Sequence, residues 1–213
     1  MSLVLLLLLG QTTEPLEQSL KKVAQRHELR SVVAESAQLS RTGKRPVVVF
    51  DVDDTLYGAT DGSLYTHHKD RVEEIHGAAQ YLHTLAKTGA KIVYLTGRGE
   101  SWRQATEAQF AKFDFPLGGP HELMLNPSKD WEVPGAALEF KKSVRTQILA
   151  KGRPVAFFDN DMANVRMFRD QYPDSKVFRL RTRTARPDPG GRGKILVIDD
   201  YRPALGVKVP RRK

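Results

Sequence analysis

The chain has 213 residues, room for one domain with a proper core and an extra helix, and 34 Lys and Arg against 25 Asp and Glu leave a formal charge of +9. With no Cys, disulfides, thiolate zinc sites and cysteine nucleophiles are excluded, while the compartment stays open. The basic excess points to an anionic partner: a phosphorylated substrate, a nucleic acid or an anionic lipid surface. Much of it lies late, in Arg179, Arg181, Arg183, Arg186, Arg192, Arg202, Arg211, Arg212 and Lys213, where a solvated basic tail accounts for it equally well.

Leu3 to Leu9 is an unbroken apolar run, far too short to span a bilayer. It fits the central region of an export signal, yet no Lys or Arg precedes it and no small-x-small cleavage site follows, defects that a truncated gene start would explain. Gln11-Thr-Thr-Glu-Pro15 reads as a mature N-terminus, so export to a periplasm or the exterior is favoured over a cytoplasmic location. Thr13 is placed to cap a helix beginning near Glu14-Pro15. Leu16, Leu20, Val23, Leu29, Val32, Val33 and Leu39 form an interrupted apolar stripe that one long helix or two short ones would satisfy, and His27 among them reads as a surface residue.

Val47-Val-Val-Phe50, bounded by Pro46 and by charge, reads as a parallel strand covered on both faces. Its end is abrupt: Asp51, Asp53, Asp54 and Thr55 follow at once. Ligands of open α/β sheets sit beyond the carboxyl ends of such strands, and carboxylates crowded there repel unless a cation binds or a proton is shared. A glycine-containing turn region covers Leu56 to Ser63, with His67 and His68 beyond it as loop or helix-start residues. A helix is predicted from about Asp70 to Lys87, turning Val72, Ile75, Ala79, Leu82 and Leu85 inward, with Gly89 past its end.

Lys91 to Leu95 forms a second apolar strand, ending at Thr96-Gly97-Arg98. Then come a helix over Trp102 to Phe113, a Pro- and Gly-rich loop, a short strand at Leu123-Met-Leu125, and a helical pattern opened by Phe140-Lys141-Lys142. Val155-Ala-Phe-Phe158 is a third core strand, followed by Asp159, Asn160 and Asp161. Val177 to Leu180 and Ile195 to Ile198 are further strands, separated by the loop Pro187 to Gly193. Strands alternating with helices argue for a doubly wound parallel sheet in a three-layer α/β/α arrangement.

Asp51-x-Asp53-x-Thr55, Thr96 at a strand end, Phe140-Lys141 before a helical run, and Asp159-Asn160 after a strand stand in that order across residues 47–165. Together they resemble the four motifs of the haloacid dehalogenase (HAD)-like hydrolases, most of which are magnesium-dependent phosphatases. The resemblance implies Asp51 as a nucleophile forming an aspartyl-phosphate, and Asp53 as the acid and base that serves leaving group and water. Thr96 and the Gly97 N–H would hold phosphoryl oxygens, and Lys141 would add positive charge to them, with Lys142 as its competitor. Mg²⁺ would be held by Asp51, Asp53, Asp159 and Asn160. Asn160 stands where members commonly have an acid, and one fewer charge should weaken metal binding. Asp54 replaces a glycine common at its position and is assigned no catalytic role, and Thr55 is expected to bond backbone.

The intervals between motifs bear on architecture. Residues 56–95 and 99–140 number 40 and 42, and neither stretch has room for the lid domain that some members insert there. A capless or nearly capless member is expected, with an open site closed by a large substrate such as a nucleic-acid or lipid-bound phosphate. Ile195 to Asp200 is a decoy, an apolar strand before two acids; Pro203, Gly206 and Pro210 prevent a following helix, so it reads as a terminal strand. The expected layout is a truncated signal over 1–10, a helical extension over 11–45, a phosphatase domain over 46–200 and a basic tail over 201–213. Alternatives are a small-molecule acid phosphatase, a non-catalytic phosphate-binding module, against which the Asp51/Asp53 pair argues, and a dehalogenase, whose halide pocket needs a cap.

Overall fold

The protein is described here by a computed structural model covering residues 3–59, 72–181 and 195–205, with side chains from residue 17 onward. His67, His68, the helix start at Asp70, the Pro187–Gly193 loop, and Arg183, Arg186, Arg192, Arg211, Arg212 and Lys213 lie outside the described residues.

A helix α1 (Leu3–Arg41) leads into strand β1 (Pro46–Phe50), the hairpin strands β2 (Tyr57–Ala59) and β3 (Val72–Glu74), and helix α2 (Ala78–Lys87). Strand β4 (Lys91–Gly99), a 3₁₀ turn (Glu100–Trp102), helix α3 (Arg103–Lys112) and strand β5 (Glu122–Asn126) follow. Helices α4 (Ala136–Ser143) and α5 (Arg145–Lys151) precede strand β6 (Arg153–Asp159) and helix α6 (Met162–Gln171). Strand β7 (Lys176–Leu180), strand β8 (Leu196–Ile198) and a single turn α7 (Arg202–Leu205) complete the described elements.

Six strands form one sheet in the order β5-β4-β1-β6-β7-β8, every neighbouring pair parallel. From β1 the chain moves outward to β4 and β5, then crosses back to β6 and proceeds to the other edge. The direction therefore reverses between β1 and β6, where doubly wound sheets open a crevice for ligands. Phe50 pairs with Phe158 across this junction, so Asp51 and Asp159 leave the sheet side by side.

Alternation along β1 divides the core. Val48 and Phe50 face α1, α2, α3 and α7 in one apolar cluster with Leu29, Val32, Tyr81, Leu85, Phe110 and Tyr201. Val47 and Val49 face the opposite layer with Val144, Ile148, Val165 and Phe168 of the α4–α6 side. Phe50, Phe158 and Phe178, on three adjacent strands, stack at centroid distances of 4.5 Å and 4.5 Å. Such aromatic contacts add about 0.5–1.5 kcal/mol each beyond simple area burial.

Several expectations are corrected. The helix predicted from Asp70 begins at Ala78, because Val72–Glu74 pairs antiparallel with Tyr57–Ala59 and Gly77 turns the chain at φ +83°. A left-handed residue ends one conformation and starts another, and glycine adopts it without a Cβ clash. Glu74 then accepts the Ala79 N–H at 2.8 Å, satisfying a donor in the first turn of α2. The N-terminal helix begins at Leu3 rather than near Pro15. Its buried positions are Gln25, Leu29, Val32, Ser36 and Leu39, whereas Leu20 and Val23, expected on the same stripe, are about three-fifths exposed (60% and 59%). Tyr201, expected to open a solvated tail, is fully buried, and its hydroxyl donates to the Thr55 carbonyl at 2.9 Å. Among the described residues, the first interval between motifs holds the β2–β3 hairpin, α2 and the start of β4, and the second the end of β4, the 3₁₀ turn, α3, β5 and the start of α4, with no separate lid.

Candidate active site

Beyond Phe50 the Asp51 N–H still bonds the Phe158 carbonyl at 2.8 Å, which pins the first carboxylate to the sheet. A tight turn follows, with the N–H groups of Thr55 and Leu56 both donating to the Val52 carbonyl. Asp54 takes φ +55° in this turn, a conformation in which glycine is unstrained and Asp is among the better-tolerated alternatives. Its backbone explains the acid in place of glycine. The turn brings the Thr55 hydroxyl to Asp51 Oδ2 at 3.2 Å, so Thr55 bonds the carboxylate itself and not the backbone expected for it.

Lys141 reaches the same place from α4. Its Nζ lies 2.7 Å from Asp51 Oδ1 and 2.7 Å from Asp159 Oδ2, with all three groups nearly inaccessible to solvent. Burial favours the neutral lysine, but Asp159 and Asp51 outweigh it and hold its pKa above the ordinary lysine range. Burial pushes the Asp51 carboxyl up to about 7; Lys141 pulls it down, while Asp159 and Asp53 add to the rise. Lys142, the competitor, is exposed and paired with Glu139 at 2.7 Å.

Close approach of α4 depends on Gly97. A Cβ there would stand 2.5 Å from Ala137 Cβ, too near for any real contact. Gly97 thus lets the lysine-bearing helix lie against the end of β4. Thr96 is fully buried, and its hydroxyl accepts the Arg98 N–H at 3.2 Å, which leaves its own proton available to another acceptor.

The Asp53 carboxylate is gripped from the end of β4. Arg98 donates to it twice, from Nε to Oδ2 at 2.9 Å and from Nη2 to Oδ1 at 2.6 Å. Asp53 is expected among the metal ligands, and its side chain is also engaged by this guanidinium, a partner not anticipated from the sequence. Arg98 stands two residues beyond Thr96 at a strand end, the one signal that pointed to it.

Asp159 is fixed by its neighbours. Its Oδ1 accepts the Asp161 N–H at 2.9 Å and Asn164 Nδ2 at 3.2 Å. Asp161 caps α6 by accepting the N–H groups of Ala163 and Asn164. Asn160 lies between them, half-buried, its carbonyl near Arg179 Nε at 3.5 Å. The decoy acids stand two strands from β6, on β7's far side. Asp199 pairs with Arg181 at 3.1 Å and accepts Gln25 Nε2 at 3.2 Å, and Asp200 is bound by Arg202.

The donor set can be tested against a metal ion. Among the described residues no group of three His, Cys, Asp or Glu side chains could hold one. Two buried carboxylates, Asp51 and Asp159, share a single ammonium, so the site keeps net negative charge. Hard carboxylate oxygen donors fit Mg²⁺, which retains several waters and needs few protein ligands.

A buried nucleophile-type carboxylate at a sheet reversal, answered by a lysine and a strand-end threonine, is the arrangement of a HAD-like hydrolase. Over residues 11–180 the sequence matches the family described as HAD superfamily, subfamily IIIB (acid phosphatase), and the chain belongs to that family, a class of phosphomonoester hydrolases. No curated protein matches the sequence significantly. Among solved structures it is similar to a chain of the Pnkp1/Rnl/Hen1 complex (21% identity, 65% of this chain and 47% of that one, TM-score 0.55). It thus spans less than half the length of that polypeptide, and the likeness is one of fold. It is also similar to the class C acid phosphatase from Bacillus anthracis (17% identity, 69% of this chain and 70% of that one, TM-score 0.44).

Proposed function

We propose that this protein is a Mg²⁺-dependent phosphomonoesterase working through an aspartyl-phosphate on Asp51. The observation that carries the reading is the single buried ammonium of Lys141 shared at 2.7 Å between Asp51 and Asp159. It neutralises part of the charge that would otherwise repel an incoming phosphate. Asp51 Oδ attacks phosphorus in line with the departing oxygen, and the P–O bond to the leaving group breaks as the Asp51–phosphorus bond forms. Thr96 donates its hydroxyl to a non-bridging oxygen, with the Gly97 N–H beside it. Asp53 gives a proton to the leaving oxygen, then takes one from the water that hydrolyses the acyl-phosphate, restoring Asp51 and releasing inorganic phosphate. Asp51, Asp159 and Asn160 would hold Mg²⁺. When bound, the ion would neutralise nucleophile and phosphoryl charge.

The charge of +9 supports a large anionic substrate, a nucleic-acid or lipid-bound phosphate, as does the lack of a separate lid among the described residues. Hydrolysis of an aryl phosphate with Mg²⁺ and with EDTA tests the reading. Turnover is expected with the metal and loss of it in chelator. Undiminished activity in EDTA would remove the metal-dependent mechanism.

A further inference from the structure

Arg98 is almost wholly buried, with 2% of its side chain exposed, and its guanidinium joins two parts of the site. Nε and Nη2 grip both oxygens of Asp53, a carboxylate whose side chain is 31% exposed at the sheet edge. Nη1 is anchored behind by Thr106 Oγ1 at 2.9 Å and Gln109 Oε1 at 2.7 Å, both on α3. Gln109 Oε1 also accepts the Tyr57 hydroxyl at 2.7 Å, and the Tyr57 ring lies 5.5 Å from the guanidinium carbon. The backbone N–H of the same residue bonds the Thr96 hydroxyl.

We propose that Arg98 is a positioning residue of the phosphatase, setting the Asp53 carboxylate from an anchor on α3 while its backbone orients Thr96. The inference rests on the phosphomonoesterase reading above. A planar fork gripping both oxygens fixes the position and the plane of a carboxylate, as a single-point ammonium cannot. Asp53 serves both half-reactions, so looseness there slows turnover without weakening the grip on phosphate, which belongs to Thr96 and Lys141.

The test is steady-state hydrolysis of an aryl phosphate in Mg²⁺ by wild type, Arg98→Met, Arg98→Ala, Arg98→Lys and the double variant Thr106→Val/Gln109→Leu, with competitive inhibition by inorganic phosphate measured for each. A misplacement of about 1 Å can lower rates roughly hundredfold, and a loss of that order in kcat is expected for Arg98→Met. KM and the inhibition constant of phosphate stay unchanged. Arg98→Lys recovers little. The double variant, which leaves the guanidinium and its charge in place, loses a smaller part of kcat and keeps the test open if removal of a buried arginine prevents folding. Added guanidinium ion at millimolar concentration should restore part of the turnover of Arg98→Ala, an effect that a purely structural role would not give. Phosphate inhibition weakening in step with kcat would mean that Arg98 contacts phosphate, and would overturn the proposal. So would a folded Arg98→Met or double variant with full kcat. Wild-type protein without turnover would overturn the phosphatase reading and this one with it, whereas active wild type beside an unaffected Arg98→Met overturns this one alone.

Discussion

Lys141 and Asp159 meet at 2.7 Å although both are buried, and their elements come from different layers, a helix and a strand separated by α5. The pair is answered on its other side by Asp51, giving two carboxylates to one ammonium.

Lys141→Met should abolish turnover and also destabilise the fold. Removing one partner of a buried ion pair costs about 3–5 kcal/mol, because the remaining charges are left uncompensated. Mg²⁺ should recover part of that loss by supplying positive charge at the same place. Urea unfolding with and without the metal measures both effects. A variant as stable as wild type in EDTA would show that the ammonium does not hold the two acids together.

Asp51→Asn should abolish turnover and leave the fold intact, since Lys141 keeps Asp159 as a partner and burial already disfavours the Asp51 charge. Asp53→Asn should slow both half-reactions and let the phospho-enzyme accumulate. Turnover assays beside circular-dichroism melts check both, and near-native turnover by Asp51→Asn would mean another nucleophile.

Gly97→Ala should displace α4, because its new methyl would fall 2.5 Å from Ala137 Cβ. Inserting a methyl into a packed contact costs roughly 1–3 kcal/mol, and here it would also draw Lys141 away from the site. The second-site change Ala137→Gly removes the opposing carbon, so the double variant should regain activity lost by the single one. Absence of any rescue would place the importance of Gly97 in its backbone N–H alone.

Asn160→Asp adds a charge beside the proposed metal position and should tighten Mg²⁺ binding, by ~1 kcal/mol or more after screening. Catalysis need not rise, because a more anionic site repels phosphate. Asn160→Ala should weaken metal affinity and Asp199→Ala should leave it unchanged, as read from Mg²⁺ titrations of activity. The reverse pattern would move the metal site to the last strand.

What the sequence made legible was whatever local pattern encodes. Val47 to Phe50 followed by three acids identifies a central strand and its functional end without reference to anything distant. Val72 and Ile75 were misread because residues three apart in a short apolar pattern suit a helix, and only the pairing with Tyr57–Ala59 makes a strand of the first. Arg98 and Tyr201 belong to another kind. Their roles arise from partners 45 and 146 positions away, and an arginine after a glycine or a tyrosine after two acids carries no mark of them. Lys141 is implied by the resemblance to the HAD-like motifs, and burial is what separates it physically from Lys142.

Residues 199–204 return to pack against α1. Gln25 bonds Asp199 and Arg30 bonds Ala204, each across 174 positions, and Tyr201 joins the aromatic cluster beneath the turn that carries Thr55. During synthesis, a nascent chain that ends before β8 exposes one face of α1 and the rings of Phe50, Tyr81 and Phe158. Long-range closure of this kind is slow relative to local helix formation, and a chain lacking β8 would present apolar surface and an unpaired β7 edge. Pairing of β8 with β7 is therefore expected to come late in folding. Deletions that stop short of Tyr201 should yield aggregation-prone chains even though every proposed catalytic side chain precedes the cut.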